Sequence, residues 1–470
     1  MASLLDARPR SGAIPRRVHL VGAGGVHLSA IGQILLARGH VVTGSDLARS
    51  DYSERLQGAG ATVYHGHAPS NLGRAEIVVA TAAASSDNPE LLAARERGVQ
   101  VLSRAEMVQW LLTGRRVLAV AGSHGKTTGT ALLAEMAVHG GLDPLVLLGG
   151  DSPGLGGNAR DGAGEHAVVE ADEYAAAFLE YEPEIAIINN VEADHLDYYG
   201  SEERLRAAFA AFAERVQPDG LLLVGADSEA ADEIGRARRA AAARVERFGF
   251  TQDAEWRAEQ LRVNDLGGLD ATVLLEGVQL GRLSLRVPGR HNVLNAIAAL
   301  AAAMRAGVDF KRAAQAASGF SGTRRRFELH GEAAGVTLVD DYAHHPSEVR
   351  ATLAAARLRY PNRRLVGCFQ PHTYSRSAYL LEGFRDCFEG LDELFIAPTY
   401  AAREEPDRGL DGAALAAEIT SPNARYVSSL EEGASLIAQT LGLGDVFMTI
   451  GAGDIDSLLP LLRERLEAQP

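Results

Sequence analysis

Residues 117–128, VLAVAGSHGKTT, constrain the fold of this chain more than any other stretch. An apolar run fit for a buried strand passes into a turn bounded by Gly122 and Gly125, then into ALLAEMAVHG, which reads as an amphipathic helix. Strand, glycine turn and helix in that order are the opening of a parallel α/β unit, because the helix must cross back before the next parallel strand. The turn also carries chemistry. Glycines let backbone N–H groups converge on phosphate oxygens, Lys126 adds a point charge, and Thr127 offers a hydroxyl to Mg²⁺ at a helix N-terminus. Ser123, His124 and Thr128 complete the loop. It is shorter than an ordinary P-loop, which points away from switch GTPases, and the expected ligand is ATP or GTP. A plain glycine turn would not explain strand, loop and helix arriving in order.

The 470 residues exceed one hydrophobic core, so two to four domains are expected, with three the natural count. Apolar residues make up 46% and charged ones 23%, which excludes disorder and, with alternating strand and helix patterns, indicates an α/β protein. No stretch reads as membrane-spanning, and MASLLDARPRSGAIPRR lacks a signal-peptide core and reads as a loose arm. Cys368 and Cys387 are the sole cysteines, too few for a disulfide framework, which fits a reducing compartment and makes cytoplasm the expectation. A net charge of −15 speaks against binding nucleic acid or an anionic membrane. The basic run RARRAAAAR, residues 236–244, reads as a solvated helix face.

The first domain opens with RRVHLVGAGG, the helical VHLSAIGQILLARG and the strand HVVTGSD. Gly22 and Gly24 fit a dinucleotide fingerprint and Asp46 stands where a ribose-binding acid belongs, roughly twenty residues on. His27 replaces the third glycine, which puts close helix–strand packing in question while leaving a helix N-terminus for a diphosphate. Three further short strands follow, and the domain ends near residue 115.

In the central domain, residues 116–325, HAVVEADEY is a strand running into Glu170, Asp172 and Glu173, and EIAIINNVEADHLDYYG is another running into Asp194, His195 and Asp197. Carboxylates at two successive strand mouths downstream of a Lys-Thr-Thr loop indicate a divalent-metal site for β- and γ-phosphates. VPGRHNVLNAIAALAAA places His291, Asn292 and Asn295 at a helix start, the two amides three apart on one face and able to read a purine edge. From residue 326, VTLVDDY, RLVGCFQPH, ELFIAPTY and VFMTIGAGDID read as four strands of a parallel sheet.

GSHGKTT, VVEADEY, NNVEADHLDYYG, GRHNVLNAIAA, SGTRRRFE, DDYAHHPSEV and QPHTYSR occur in this order over residues 122–376. Together they resemble the Mur ligases of peptidoglycan synthesis, and with GAGGVHLSAIG and GSDL the resemblance covers nearly the whole chain. The motifs are most similar to the members that add L-alanine. The resemblance implies a Rossmann-like UDP-sugar domain (residues 1–115), a central P-loop ATPase domain with a mostly parallel sheet (116–325) and a Rossmann-like domain (326–470) that brings the amino acid. It implies an ATP- and Mg²⁺-dependent enzyme, a monomer or weak homodimer, that joins L-alanine to the carboxylate of UDP-N-acetylmuramate.

Carried over by position, the family pattern implies Lys126 on the ATP phosphates, Thr127 and Glu170 on Mg²⁺, and His195 on a second Mg²⁺. Asn292 and Asn295, with His291, would meet adenine; Arg326 and Asp341 would reach phosphate and ribose; His344 and Arg376 would position the amino acid, an arginine suiting its carboxylate. UDP-sugar contacts are implied at Gly22, Gly24, Gly25, Asp46 and His65. Three places depart from the pattern: VHLS at the first helix, Thr81-Ala82 for paired serines, and Thr373 for an arginine.

Chemistry asks for the same layout. A carboxylate must be activated as an acyl phosphate before an amine displaces phosphate, and both steps crowd negative charge. His344, His345 and Asp341 are each able to take the amine proton, and the sequence does not rank them. Two other readings stay open: a recycling ligase that attaches a preformed tripeptide, and a nucleotide-binding dehydrogenase or regulatory module built on the first glycine loop.

Overall fold

The computed structural model describes residues 12–402, 404–405 and 409–468, so most of the expected N-terminal arm lies outside the described residues. The chain divides into two compact units. The first takes Met1–Arg257, Val273–Gly281 and Leu294–Ala317; the second takes Ala258–Thr272, Arg282–Val293 and Ser318–Pro470. Three mostly parallel sheets make it an α/β protein, as expected.

In the first unit, strands β1 (Arg17–Val21), β2 (Val41–Asp46), β3 (Thr62–His65), β4 (Ile77–Ala80) and β5 (Gln100–Ser103) form a parallel sheet in the order β3-β2-β1-β4-β5. The order reverses at β1, which opens a crevice beyond the carboxyl ends of β1 and β4, where α/β sheets take ligands. Close packing does not need a glycine at position 27. A Cβ on Gly32 would meet Leu56 at 2.7 Å and Leu20 at 2.9 Å, and one on Gly44 would meet Ala23 at 2.6 Å. These glycines bring the helix Val26–Ala37 and its neighbours onto the sheet.

The next strands are β6 (Arg116–Ala121), β7 (Leu145–Ser152), β8 (Gly157–Asp161), β9 (His166–Glu170), β10 (Ile185–Ile188), β11 (Leu221–Gly225) and β12 (Val245–Gly249). They run in the order β12-β11-β10-β6-β9-β7-β8, with β8 antiparallel to β7 and the rest parallel. The helix Lys126–His139 is buried from Thr127 to Ala137, so it is a core helix and not the amphipathic one expected. Its small residues conceal this in sequence, since Thr, Gly and Ala tolerate either surroundings. The helix Glu229–Ala240 does carry a solvated basic face, with Arg236 on Asp232 and Arg239 on Glu255.

Strands β13 (Trp256–Val263), β14 (Leu269–Leu275) and β15 (Val278–Ser284) follow and are divided between the units. In the second unit, β16 (Glu328–Ala333), β17 (Val336–Asp341), β18 (Leu365–Phe369), β19 (Glu393–Ile396), β20 (Ala424–Tyr426) and β21 (Val446–Ile450) pair in the order β16-β17-β21-β18-β19-β20. The four expected strands are β17, β18, β19 and β21. Two short edges were not foreseen, β16, antiparallel to β17, and β20, because their exposed residues lack an apolar run. No helix among the described residues is long and apolar enough to cross a membrane.

Candidate active site

The glycine loop of residues 122–125, expected from the sequence to take phosphate, leaves the carboxyl end of β6, whose two neighbours in the sheet are β9 and β10. That pairing places the acids after β9 on one side of the loop and Asn189, which follows β10, on the other. Gly122 has φ 141° and Gly125 φ 80°, both in the range that favours glycine. Space is as strict as conformation: a Cβ on Gly125 would fall 2.4 Å from Asn295 Oδ1. Asn189 Nδ2 donates to that oxygen at 3.4 Å, so Asn295 closes over the loop. Asn189 carried no signal in the sequence beyond its place after a strand. The His124 backbone N–H donates to Asn190 Oδ1 at 2.8 Å, and Ser123 Oγ to the Glu192 carbonyl at 3.0 Å. Thr128 is buried in the first helical turn.

Lys126 Nζ donates to the carbonyls of Gly122 and Ser123 at 2.7 and 3.1 Å and to Glu173 Oε1 at 2.8 Å. Burial works to lower the lysine's pKa, and Glu173 and Asp172 outweigh it, so the ammonium stays charged. Thr127 Oγ1 donates to Glu170 Oε1 at 3.2 Å, and the Gly149 N–H to Glu170 Oε2 at 2.9 Å. Burial pushes the Glu170 and Glu173 carboxyls above the usual range, against the pull of Lys126. Glu173 is buried, and its Oε2 has no hydrogen-bond partner among the described residues. His195 sits at φ 52° with Nε2 3.7 Å from Glu173 Oε1 and its ring edge-on to Tyr174. The Asp197 side chain lies outside the described residues. A threonine hydroxyl beside one buried carboxylate, with an unpartnered carboxylate oxygen nearby, is an oxygen donor set that fits Mg²⁺.

At the other glycine loop of this unit, Gly22 has φ 92°, and a Cβ there would meet Thr81 Cγ2 at 2.6 Å. Gly25 caps the helix Val26–Ala37. Asp46 Oδ2 accepts from the Gly24 N–H at 2.9 Å and Oδ1 from Ala48 at 3.3 Å, so both oxygens brace the turn. His65 is exposed at the end of β3. A residue that the sequence did not single out stands between the two loops: Arg104 Nη2 donates to Asp172 Oδ2 at 2.8 Å. Its one sequence signal is a basic residue in the first turn of a helix, where the macrodipole disfavours it.

In the second unit, Asp341 Oδ2 accepts from the Phe327 N–H at 2.7 Å, and Oδ1 from the Ala343 N–H at 2.8 Å and Thr352 Oγ1 at 3.1 Å. Burial pushes its pKa up to about 6 against the pull of Arg326. The Arg326 guanidinium lies over the Tyr342 ring, 4.9 Å from its centre. His345 Nδ1 accepts from the Ser347 N–H and caps the helix Pro346–Arg359, a structural task, whereas the His344 ring lies 6.0 Å from that of His372. Arg376 Nη1 lies 2.9 Å from His372 Nδ1, and the His372 ring stacks on Tyr400. Thus Arg326 stands close enough to Asp341 for its charge to act on that carboxylate, and His344 and Arg376 both meet His372. Asn292 Nδ2 donates to the Pro288 carbonyl at 2.7 Å, and burial lowers the His291 pKa to about 4.

The chain matches three family models: the Mur ligase family catalytic domain at residues 17–116, the Mur ligase middle domain at 120–303 and the Mur ligase glutamate ligase domain at 325–453. It is 42% identical to the UDP-N-acetylmuramate–L-alanine ligase of Solidesulfovibrio magneticus, over 94% of this chain and 96% of that one. Among solved structures it is similar to the UDP-N-acetylmuramate-alanine ligase MurC of Thermotoga maritima, with a TM-score of 0.81 and 30% identity over 96% of this chain and 98% of the other. A murein peptide ligase of Psychrobacter arcticus shares the fold, with a TM-score of 0.72 at 24% identity over 97% of this chain and all of that one.

Proposed function

The chain belongs to the Mur ligase family, and we propose that it joins L-alanine to the carboxylate of UDP-N-acetylmuramate, converting ATP to ADP and orthophosphate in peptidoglycan synthesis. The observation that carries this reading is 42% identity, over nearly the whole chain, to an enzyme named for that reaction. The phosphate loop flanked by buried carboxylates supports it. The units of labour are residues 1–115 for the UDP sugar, 116–325 for ATP and 326–470 for the amino acid. The reaction runs in the cytoplasm, on a monomer or weak homodimer.

The acceptor carboxylate oxygen attacks the γ-phosphorus, a P–O bond forming as the bond to the ADP oxygen breaks. The alanine amine then displaces phosphate from the acyl phosphate. Lys126 and the N–H groups of residues 122–128 bind the ATP phosphates, with Asn295, Asn292 and His291 at adenine, Arg326 at phosphate and Asp341 at ribose. Thr127 and Glu170 would hold one Mg²⁺, and His195 with Glu173 Oε2 a second. Bound there, Mg²⁺ supplies positive charge where the transferring phosphoryl group develops negative charge. Arg376 grips the alanine carboxylate and His344, free of a capping role, takes the amine proton. Gly22, Gly24 and Gly25, braced by Asp46, offer the helix N-terminus to the UDP diphosphate near His65.

A coupled ADP assay over a panel of amino acids tests this. ADP and orthophosphate are expected only with UDP-N-acetylmuramate, L-alanine and Mg²⁺ together. AMP and pyrophosphate as products would refute the acyl phosphate, and turnover with a preformed tripeptide instead of alanine would make this a recycling ligase.

A further inference from the structure

Arg104 opens the helix Arg104–Leu111 directly after β5, in the part of the first unit that carries the glycine loop. Its Nη2 reaches Asp172, which lies in the acid-bearing loop after β9 and two residues from Glu170. The pair is largely buried, the side chains being 18% and 21% exposed. His27, in the helix that follows Gly25, lies close enough to both side chains for their charges to act on it, which links the pair to the glycine loop. His27 is neutral, its pKa lowered to about 3 by burial and by Arg104, and its Nε2 is buried without a partner among the described residues.

This placement has a chemical consequence. On the reading proposed above, the acceptor carboxylate must travel from the sugar-binding loop to the γ-phosphate, and the way is lined by Glu170, Asp172 and Glu173. A carboxylate entering that field is repelled unless a cation meets it. Arg104 is such a cation, set between the two loops and fixed by Asp172 at one corner. The rest of its planar donor fork has no hydrogen-bond partner among the described residues, and a fork with one corner anchored suits a carboxylate. We propose that Arg104 binds the carboxylate of the UDP-sugar substrate and thereby sets specificity for a sugar that bears one, with Asp172 as its positioning residue.

The test compares binding of UDP-N-acetylmuramate and UDP-N-acetylglucosamine, which lacks the carboxylate-bearing lactyl group, by titration calorimetry of the full chain without ATP. The wild type is expected to prefer the muramate. Arg104→Ala should reduce that preference roughly 10- to 100-fold, the scale of one charge-assisted contact, while leaving affinity for the glucosamine compound within about threefold. Arg104→Lys keeps the charge but loses the fork, and should reduce the preference several-fold. It serves as the decisive variant if Arg104→Ala does not fold. A preference unchanged in either folded variant, or an equal loss for both compounds, overturns the assignment. A wild type that binds neither compound overturns the functional reading as well.

Discussion

Single residues here do two tasks at once. Lys126, proposed to meet the ATP phosphates, also pairs with Glu173, a carboxylate 1% exposed at 2.8 Å. Lys126→Ala should cost more than about 3 kcal/mol in kcat/KM through the lost transition-state charge. Unlike an ordinary loop lysine it should also lower stability, because it strands a buried carboxylate, a change that costs about 3 kcal/mol or less as Glu173 takes up a proton. Adding Glu173→Gln should restore the melting temperature but not turnover, and recovery of both would show the lysine to be structural. His27 gives a pH prediction. Its folded pKa of about 3 lies below the ordinary 6.5, so between those values the unfolded chain binds the extra proton and stability falls as pH falls. His27→Leu should flatten the loss measured from pH 6.5 to 4 by at most about 1.4 kcal/mol per pH unit. Equal slopes for the two proteins would exclude a dry imidazole.

Among elements, Glu170 at the end of β9 joins β7 to the helix start at Thr127: its Oε2 accepts from the Gly149 N–H and its Oε1 from Thr127 Oγ1. A Cβ on Gly149 would lie 2.5 to 2.7 Å from the Glu170 carboxylate atoms, so alanine there must push that carboxylate aside. The side chain is flexible and can move, hence the harm falls on its aim and not on the strand. Gly149→Ala should reduce kcat/KM by about tenfold or more, partly recovered at high Mg²⁺, with stability changed by less than about 1 kcal/mol. Thermal melts beside a Mg²⁺ titration of the rate would check it, and an unchanged rate would refute the proposed role of Glu170 as a Mg²⁺ ligand. The second of two successive glycines in β7, Gly150, answers to a different neighbour: a Cβ there would lie 3.1 Å from Thr127 Cγ2.

For the whole molecule, both glycine loops belong to one compact unit. Arg55 on Asp151, Arg38 on Asp161, Arg104 on Asp172, and Asn158 Nδ2 donating to the Val26 carbonyl tie its first sheet region to its second. Ligand at either loop should therefore stabilise the unit, by about 2.7 kcal/mol at a concentration one hundred times Kd. In thermal melts, Lys126→Ala should abolish the shift from ATP with Mg²⁺ and keep the shift from UDP-N-acetylmuramate. Loss of both shifts would mean that the phosphate loop shapes the sugar site as well.

Order along the chain was enough to read the α/β class, the strand, glycine turn and helix around residues 117–128, and the acids and histidine following two strands, because each depends on local periodicity and on residue types close in sequence. Gly122 and Gly125 do adopt the backbone that only a glycine adopts freely. Partnerships over long separations were another matter. Nothing local reveals that β6 lies between β9 and β10, that the helix after Lys126 is buried all round, or that close packing at the first sheet falls to Gly32 and Gly44 instead of position 27. Nor could residue types alone tell His345, spent on a helix cap, from His344, or join Arg104 to an aspartate 68 residues away. Those relations arise when strands pair out of sequence order and side chains are desolvated together, so that a charge must find whichever partner the fold has brought within reach.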